Sequence, residues 1–317
     1  MTFRSHIRPV LLSLFAATSP LVAAPPAAAQ GLLPDSLLAS GQVVPAESLY
    51  FAYAANNPRD PIARAALGRY LGARGAARVG AVLLEEARFF GGDSRAVAIE
   101  LAPLYRALGD YRALVTLPAS PLSMTERAQA AWLATHPPTL EMPDSLGVAY
   151  SPSGEGLGTV TIRVGDRALT ATIDAQRSGL VLDATASGDT AIRVFRVTDA
   201  PSITGVASVV RLGDLTLGNV PATIEPVGPT RAVIGLDVLR AFAPTFDPAR
   251  RRILLRRAGR VAPGLPGVHV PALIEADDLR VLRGDHFTSV GDASVAATLR
   301  SRRWTLDAKR GEVVLAP

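Results

Sequence analysis

The spacing of hydrophobic residues changes once along the chain and divides it into two regions. Between about residues 37 and 137, apolar residues recur every three or four positions, which predicts amphipathic helices. In residues 94–108, for example, one face of the predicted helix contains Val97, Leu101, Leu104 and Leu108. From residue 158 onward the period is two, which predicts β-strands. The pattern therefore predicts an α+β chain with its helices first.

Residues that favour helix ends divide the helical region into pieces. Asp60-Pro61 and Asp93-Ser94 are typical of helix starts, and Gly109 stands where a helix should stop. Pro103 falls inside one piece and predicts a kink or a shorter helix. The predicted helices span residues 46–55, 61–73, 76–90, 94–108, 111–117 and 123–134.

Two segments of the helical region resemble fragments of tetratricopeptide (TPR) repeats. They run from Leu67 to Gly72 and from Leu104 to Tyr111. Their Leu71 and Leu108 are separated by close to the period of that family, about 34 residues. Ala, Leu, Gly and Tyr at helical spacing are common in any helical hairpin, so plain helical hairpins remain the alternative interpretation.

Alternation and turn residues predict hairpins in the second region. Strands are predicted at 159–164 and 167–174, and Gly165-Asp166 forms the turn between them. Further strands are predicted at 192–198, 207–212 and 222–225, with turns at Gly213-Asp214 and Gly218-Asn219. Residues 138–156 contain several Pro, Ser and Gly residues and are predicted to be a linker with room for one early strand.

The first 29 residues have the pattern of a secretory signal peptide. Arg4 and Arg8 precede a short apolar core at residues 10–17, and Ala27-Ala28-Ala29 forms a small-residue cleavage site. The apolar core is too short to span a bilayer, and no other segment is long and apolar enough for a transmembrane span. The sequence therefore predicts an exported protein, in the periplasm of a bacterium.

Composition excludes several kinds of chemistry. The 317 residues contain no cysteine, which excludes disulfides and thiolate catalysis. The net charge of +5 comes from scattered arginines without interleaved aromatics, so no nucleic-acid partner is predicted. Beyond the leader, His136, His269 and His286 lie far apart and lack metal-ligand spacing. Neither a metal nor another cofactor is expected.

The segment from Ala171 to Leu182 carries the strongest functional signal. It resembles the active-site strand and turn of retropepsin-like aspartic proteases, the bacterial aspartyl protease family among them, in which apolar residues precede Asp-Thr-Gly. Asp174 occupies the position of the catalytic aspartate, and Ser178-Gly179 follows in register. Ala175 and Gln176 stand where the family has Thr and Gly.

Two downstream segments extend this resemblance over residues 157–258. Residues 232–242, with Gly235 near their middle, resemble the family's closing strand, glycine and short helix. Residues 205–219 resemble the end of its flap and the next hairpin. Asp237 follows the closing glycine, where the family places a structural polar residue, and neither it nor Asp183 is expected to be catalytic.

The resemblance implies a two-carboxylate mechanism in a homodimer. Each subunit would supply one aspartate, here Asp174, and the pair would share a proton while activating water. In the family the threonine hydroxyl locks the two loops together, and the glycine lets the backbone approach the carboxylates. Ala175 lacks the hydroxyl and Gln176 is bulky, so the resemblance implies weak or absent activity.

The C-terminal segment, residues 259–317, repeats a feature that precedes it. Residues 304–315 resemble residues 245–255, since both have an aspartate, a basic turn and an apolar strand. This segment is a β extension or a partial second lobe. If it packs as a half-lobe, it replaces the second subunit, makes the chain a monomer and leaves Asp174 without a partner aspartate.

Two hypotheses for the function remain open from the sequence. In the first, the chain is an exported aspartic endopeptidase that hydrolyses peptide bonds through Asp174. In the second, it is a non-catalytic pseudoprotease, a periplasmic scaffold that binds a peptide or protein partner. The predicted organisation is a signal peptide (1–29), a TPR-like helical domain (37–137), a linker (138–156), a retropepsin-like domain (157–258) and the C-terminal segment.

Overall fold

The fold is seen in a computed structural model that describes residues 34–152, 155–183, 185, 191–196, 203–228, 231–257, 261, 265–275 and 278–317. The signal peptide predicted for residues 1–29 lies outside the described residues. Helices come first and strands follow, so the coarse α+β prediction is confirmed. Residues 34–317 cluster into one compact unit.

The N-terminal part of the described chain consists of helices whose starts are capped as the sequence indicates. Asp60 accepts the backbone N–H of Ile62 at 2.8 Å, and Pro61 is the first helical residue. Asp93 accepts the N–H groups of the next two helical residues after Ser94. The helices are α1 (Pro34–Ala39), α2 (Val43–Asn56), α3 (Pro61–Ala73), α4 (Ala77–Phe89), α5 (Ser94–Leu108), α6 (Tyr111–Thr116) and α7 (Met124–Thr135).

Helix α5 does not end at Pro103, so of the two outcomes predicted there, a kink or a shorter helix, the shorter helix is wrong. A proline inside a helix removes one backbone hydrogen bond and crowds the preceding turn. Here the residues around it, Leu101, Ala102 and Tyr105, are buried between neighbouring helices. Their burial offsets the cost of the proline.

A first sheet follows the helices and closes on itself. Its strand order is β1-β8-β5-β9-β4-β3-β7-β6, and an additional pairing of β7 with β8 closes six of the strands into a ring. The strands are β1 (Thr139–Glu141), β3 (Thr159–Val164), β4 (Arg167–Asp174), β5 (Leu180–Leu182), β6 (Ile192–Phe195), β7 (Ile203–Leu212), β8 (Leu215–Ile224) and β9 (Arg231–Gly235). Their inward side chains fill the ring with an apolar core.

The turn predicted at Gly213-Asp214 is confirmed, but the one at Gly218-Asn219 is wrong. Strand β8 runs through both residues, and its register with β7 is the same before and after them. Asn219 adopts a φ of 55°, a conformation that asparagine tolerates better than most residues. The Gly-Asn pair therefore distorts the strand locally without reversing the chain.

The second sheet contains five C-terminal strands and three strands from earlier in the chain. Its order is β14-β13-β12-β16-β15-β10-β11-β2. The strands are β2 (Ser145–Ala149), β10 (Thr245–Asp247), β11 (Arg252–Arg256), β12 (Val268–Ile274), β13 (Leu279–Arg283), β14 (His286–Ser289), β15 (Trp304–Asp307) and β16 (Glu312–Leu315). Two further helices are α8 (Leu236–Arg240) and α9 (Ala293–Ser301). Residues 138–156 thus contribute β1 to one sheet and β2 to the other.

Two hairpins in the second sheet are related by a local two-fold axis. In β10–β11, Asp247 accepts the backbone N–H of the residue three positions on, and Asp307 does the same in β15–β16. Strands β10 and β15 pair antiparallel with Thr245 opposite Thr305, and the two hydroxyls lie 2.8 Å apart. Each threonine precedes its aspartate by two residues, so the axis passes between the threonines.

The flanking strands follow the same symmetry. Strand β2 pairs antiparallel with β11, and the first half of β12 pairs antiparallel with β16. Arg252, at the start of β11, lies opposite Ala149, and Glu312, at the start of β16, lies opposite Pro271. The six consecutive strands from β12 to β2 are therefore two copies of one three-stranded unit.

A further match links the C-terminal segment to the first sheet. Leu180 of β5 lies opposite Ile234 of β9, which is followed by Gly235 and helix α8. In the C-terminal segment, the carbonyl of Leu279 accepts the N–H of Val290 at 2.7 Å, and Gly291 and α9 follow. The two strand pairs differ in the chain that connects them. Strands β6 to β8 lie between β5 and β9, whereas only a short turn lies between β13 and β14. Both segments thus place an antiparallel strand pair before a glycine and a helix, with a shorter connection in the C-terminal segment.

The helices contact both sheets. The side-chain amide of Gln129 in α7 donates to the carbonyls of Gly205 (2.5 Å) and Ala222 (3.1 Å) in the first sheet. The guanidinium of Arg74, after α3, donates to the carbonyls of Ala272 (2.9 Å) and Gly311 (2.5 Å) in the second. These side-chain bonds to backbone carbonyls hold the helical region against the strands.

Candidate functional site

Asp174 lies at the end of β4, beside the end of β9. The two strands are parallel, and Asp174 is opposite Gly235. Its side chain is half-buried, and Oδ1 accepts the backbone N–H of Gln176 at 2.8 Å. This oxygen closes the turn that follows the strand, a common role for aspartate.

Ala175 and Gln176 take different positions in that turn. Ala175 is buried in the core of the sheets. The side chain of Gln176 extends to the second sheet, where Nε2 donates to the Ser289 hydroxyl at 3.3 Å. It lies against Gly291, and a Cβ at that glycine would collide with the Gln176 amide. Gln176 therefore fills the space beside the glycine that corresponds to Gly235.

Ser178 and Gly179 are held by Asp237, at the start of α8. The hydroxyl of Ser178 and the N–H of Gly179 both donate to the Asp237 carboxylate, at 2.9 Å each. The carbonyl of Gly179 in turn accepts the N–H of Gly235 at 2.7 Å. Asp237 thus supports the loop after Asp174 as a structural residue.

Other carboxylates near the loop are engaged in contacts of their own. Asp278 accepts the Ser289 hydroxyl at 2.6 Å, and Glu275 forms an ion pair with Arg280. A cavity lined by Ala175, Arg177, Asp237, Glu275 and Asp278, among others, has a volume of only about 10 Å³. Such a space holds about one water molecule and leaves no room for a polypeptide.

The segment that resembles a flap is covered by helix α7. Val206 is fully buried and belongs to the apolar cluster of the helices. Gln129 bonds to the carbonyl of the preceding residue, and the guanidinium of Arg193 lies 5.3 Å from the centre of the Trp132 ring. The first two contacts hold the start of this segment against α7, and Arg193 belongs to the neighbouring strand β6.

Asp183 has a structural role after β5. Its Oδ1 accepts the N–H (2.9 Å) and hydroxyl (2.8 Å) of Thr185, and its Oδ2 accepts the N–H groups of Val227 (3.1 Å) and Gly228 (2.6 Å). These hydrogen bonds, those from Thr185 first, hold the pKa of the Asp183 carboxyl below its usual range. The carboxylate ties the end of β5 to the segment after β8.

Replacing Asp183 with asparagine is expected to destabilise the fold in a pH-dependent way. A lowered folded-state pKa means that the ionised group stabilises the fold above its unfolded pKa, about 3.9. This contribution disappears as the pH falls through the lower folded value. In urea unfolding, Asp183→Asn should lower the midpoint clearly at about pH 7 and much less at about pH 2. Equal losses at both pH values would contradict this role.

The helical region contains a much larger concavity, which we call the helical cleft. It lies between α4 on one side and the ends of α5, α6 and α7 on the other, and its volume is about 950 Å³. This is the size of a site for a small molecule or a peptide segment. Residues from α4 and its opposite wall include Arg78, Val82, Glu85, Phe89, Leu108, Asp110, Arg112 and Thr135.

The histidines lie at separate places in the described chain. His136 stacks on Trp132, His286 contacts Asp285, and Nδ1 of His269 is 3.0 Å from Glu312, whose hydrogen bond raises the pKa of the imidazole. No group of three or more His, Asp or Glu side chains among the described residues could hold a metal ion. In the same part of the chain, each helix is too short or too polar to cross a bilayer.

The sequence did not lead us to the partners of Gln176. Ser289 and Gly291, which contact Gln176, and Asp278, which accepts the Ser289 hydroxyl, lie more than 100 residues from it and were not predicted as site residues. The run Val290-Gly291-Asp292 does share an apolar residue and a glycine before a helix with Ile234-Gly235. The resemblance between residues 245–255 and 304–315, extended towards the N-terminus, would have identified this run.

No family model matches the chain, and no curated protein matches it. Among solved structures, a retropepsin-like aspartic protease from Rickettsia conorii matches with a TM-score of 0.27 and 13% identity, over 37% of this chain and 91% of that one.

Proposed function

We propose that this chain is an exported, retropepsin-like pseudoprotease that binds polypeptides without cleaving them. In this proposal the C-terminal segment replaces the second subunit of a dimeric protease, so the protein acts as a monomer. Residues 1–29, with the pattern of a signal peptide, support export to the periplasm. The two-fold relation between β10–β11 and β15–β16 supports an internal replacement of the partner.

The observation that carries the proposal is the position of the Gln176 side chain. An aspartic protease needs two carboxylates close together and an open cleft for its substrate. Beside Asp174, Gln176 instead reaches the second sheet and packs on Gly291. The neighbouring Asp278 and Glu275 are bonded to Ser289 and Arg280. This arrangement favours binding elsewhere on the molecule over hydrolysis at this loop.

One feature favours the alternative, an aspartic endopeptidase. Asp174 is retained at the end of β4, and its side chain is only half-buried. A carboxylate in this position could act on water if a second carboxylate were released from its present contacts. A direct assay separates the two functions.

The protein without residues 1–29 is expected to leave a peptide library intact from acidic to neutral pH. Cleavage products are measured by mass spectrometry, with Asp174→Asn as the matched variant. The proposal predicts no products from either protein, because a lone carboxylate cannot act as both acid and base of the pair. Products that appear with the unmodified protein and disappear with Asp174→Asn would establish the endopeptidase instead.

A further inference from the structure

One face of helix α4 exposes apolar side chains to solvent. Arg78, Val82, Glu85 and Phe89 follow one another at spacings of four, three and four, so they lie on the same face. Phe89 is 84% exposed and Val82 is 55% exposed. The buried residues of α4, such as Leu84, face its neighbouring helices instead. Val82 and Phe89 therefore lie outside the packing that holds α4 against its neighbouring helices.

The exposed face forms one wall of the helical cleft. The opposite wall includes Leu108 at the end of α5, which is 37% exposed, Arg112 in α6 and Thr135 at the end of α7. The volume of about 950 Å³ accommodates several side chains of a ligand. Exposed apolar residues that line a concavity are typical of a binding surface.

The acidic residues of the cleft are engaged by neighbouring groups of the protein. Glu85 forms an ion pair with Arg88 at 2.5 Å and also accepts a hydrogen bond from the Tyr105 hydroxyl. Glu86 lies 3.3 Å from the guanidinium of Arg64. Asp110 is the N-cap of α6 and accepts the N–H of Ala113 at 3.0 Å. These carboxylates are thus occupied within the protein.

The arginines of the cleft have no such acidic partners. Arg78 and Arg112 are both exposed, and Arg112 Nε donates only weakly, to the carbonyl of Ala134 at 3.4 Å. Within the described residues neither guanidinium forms an ion pair with Asp or Glu. Two guanidinium groups without an acidic partner, beside an apolar surface, favour a ligand that carries both carboxylates and a large apolar side chain.

We propose that the helical cleft binds an acidic segment of a partner polypeptide. A large apolar side chain of the segment packs on Phe89 and Val82, and flanking carboxylates pair with Arg78 and Arg112. Because the cleft offers apolar surface as well as two guanidinium groups, it favours a peptide that carries an apolar side chain beside separate carboxylates over nucleic acid. The inference rests on the proposed binding function and assigns its ligand class and location.

The test uses a fluorescein-labelled pool of peptides in which one Phe, Leu or Trp is flanked by glutamates. Fluorescence anisotropy with the protein lacking residues 1–29 should show saturable binding, weakened by about tenfold when the glutamates are replaced by glutamines. Arg78→Glu with Arg112→Glu, and separately Phe89→Ala, should each weaken binding by about tenfold or more. The matched controls Arg59→Glu and Met124→Ala, both exposed outside the cleft, should leave it unchanged.

Failure of this inference is distinguishable from failure of the proposed function. Absence of saturable binding, equal binding of the glutamine pool, or undiminished binding by the cleft variants would overturn the assignment of the cleft. Mass spectrometry of the same peptides after incubation reports on hydrolysis. Cleavage that depends on Asp174 would overturn the pseudoprotease proposal whatever the anisotropy shows.

Discussion

Trp304→Ala is expected to lower the free energy of unfolding of the whole protein by about 3–5 kcal/mol. Trp304 is fully buried and lies opposite Phe246 in the pairing of β15 with β10. The two rings stack with centroids 4.2 Å apart, and Tyr150 packs edge-on against Phe246. Removal of the indole leaves a cavity at the junction of the two symmetry-related hairpins, where rigid strands limit relaxation.

Trp132 provides the measurement that distinguishes a shared core from a separate lobe. It is the only other tryptophan of the chain and lies in helix α7. In Trp304→Ala, urea unfolding followed by Trp132 fluorescence and by circular dichroism should shift together to lower urea, because residues 34–317 form one unit. Trp304→Phe keeps a ring stacked on Phe246, so its free energy of unfolding should fall much less. An early transition that leaves the Trp132 midpoint unchanged would show that the C-terminal segment folds separately.

Asp237→Ala is expected to destabilise the protein by about 2–3 kcal/mol, because a half-buried carboxylate and its bonds are lost together. The Ser178 hydroxyl and the Gly179 N–H would lose their acceptor, and the loop after Asp174 would lose its support on α8. Asp237→Asn keeps one acceptor oxygen, so it should destabilise the protein less than Asp237→Ala does. Asp214→Ala, at an exposed turn, is the matched control and should change little.

Amide hydrogen exchange locates this effect on the loop. In Asp237→Ala, the Gly179 N–H has lost its acceptor. Its exchange rate should therefore rise by more than the fall in global stability alone would produce. The amides of β7 and β8 should follow only the global stability. Unchanged protection of the Gly179 amide would show that Asp237 does not hold the loop.

Local signals in the sequence were sufficient for the helices and most hairpins. Asp60, Asp93 and Gly109 mark helix ends through contacts within a few residues, and the two-residue alternation of β3 and β4 reflects one buried face. Local signals fail where hydrogen bonding to a strand elsewhere in the chain decides whether a segment turns or continues as a strand. Gly218-Asn219 is a good turn sequence, yet strand β8 continues through it because β7 pairs with it on both sides.

The candidate site was predictable only in part, for the same reason. The position of Asp174 at a strand end follows from the local pattern, and its turn follows from its own side chain. The contact of Gln176 with Ser289 and Gly291 depends on pairing across more than 100 residues, which no local pattern encodes. The sequence repeat at Asp247 and Asp307 was visible, but the pairing of Thr245 with Thr305 required the structure.

The most direct measurement is made on the double variant Ala175→Thr with Gln176→Gly, which restores the family's motif after Asp174. Its solution mass by light scattering and its peptide cleavage are measured beside the same variant carrying Asp174→Asn. The C-terminal segment occupies the partner's place in this account, so the double variant should have the mass of one chain and produce no cleavage. A dimer, or cleavage that disappears with Asp174→Asn, would contradict the account.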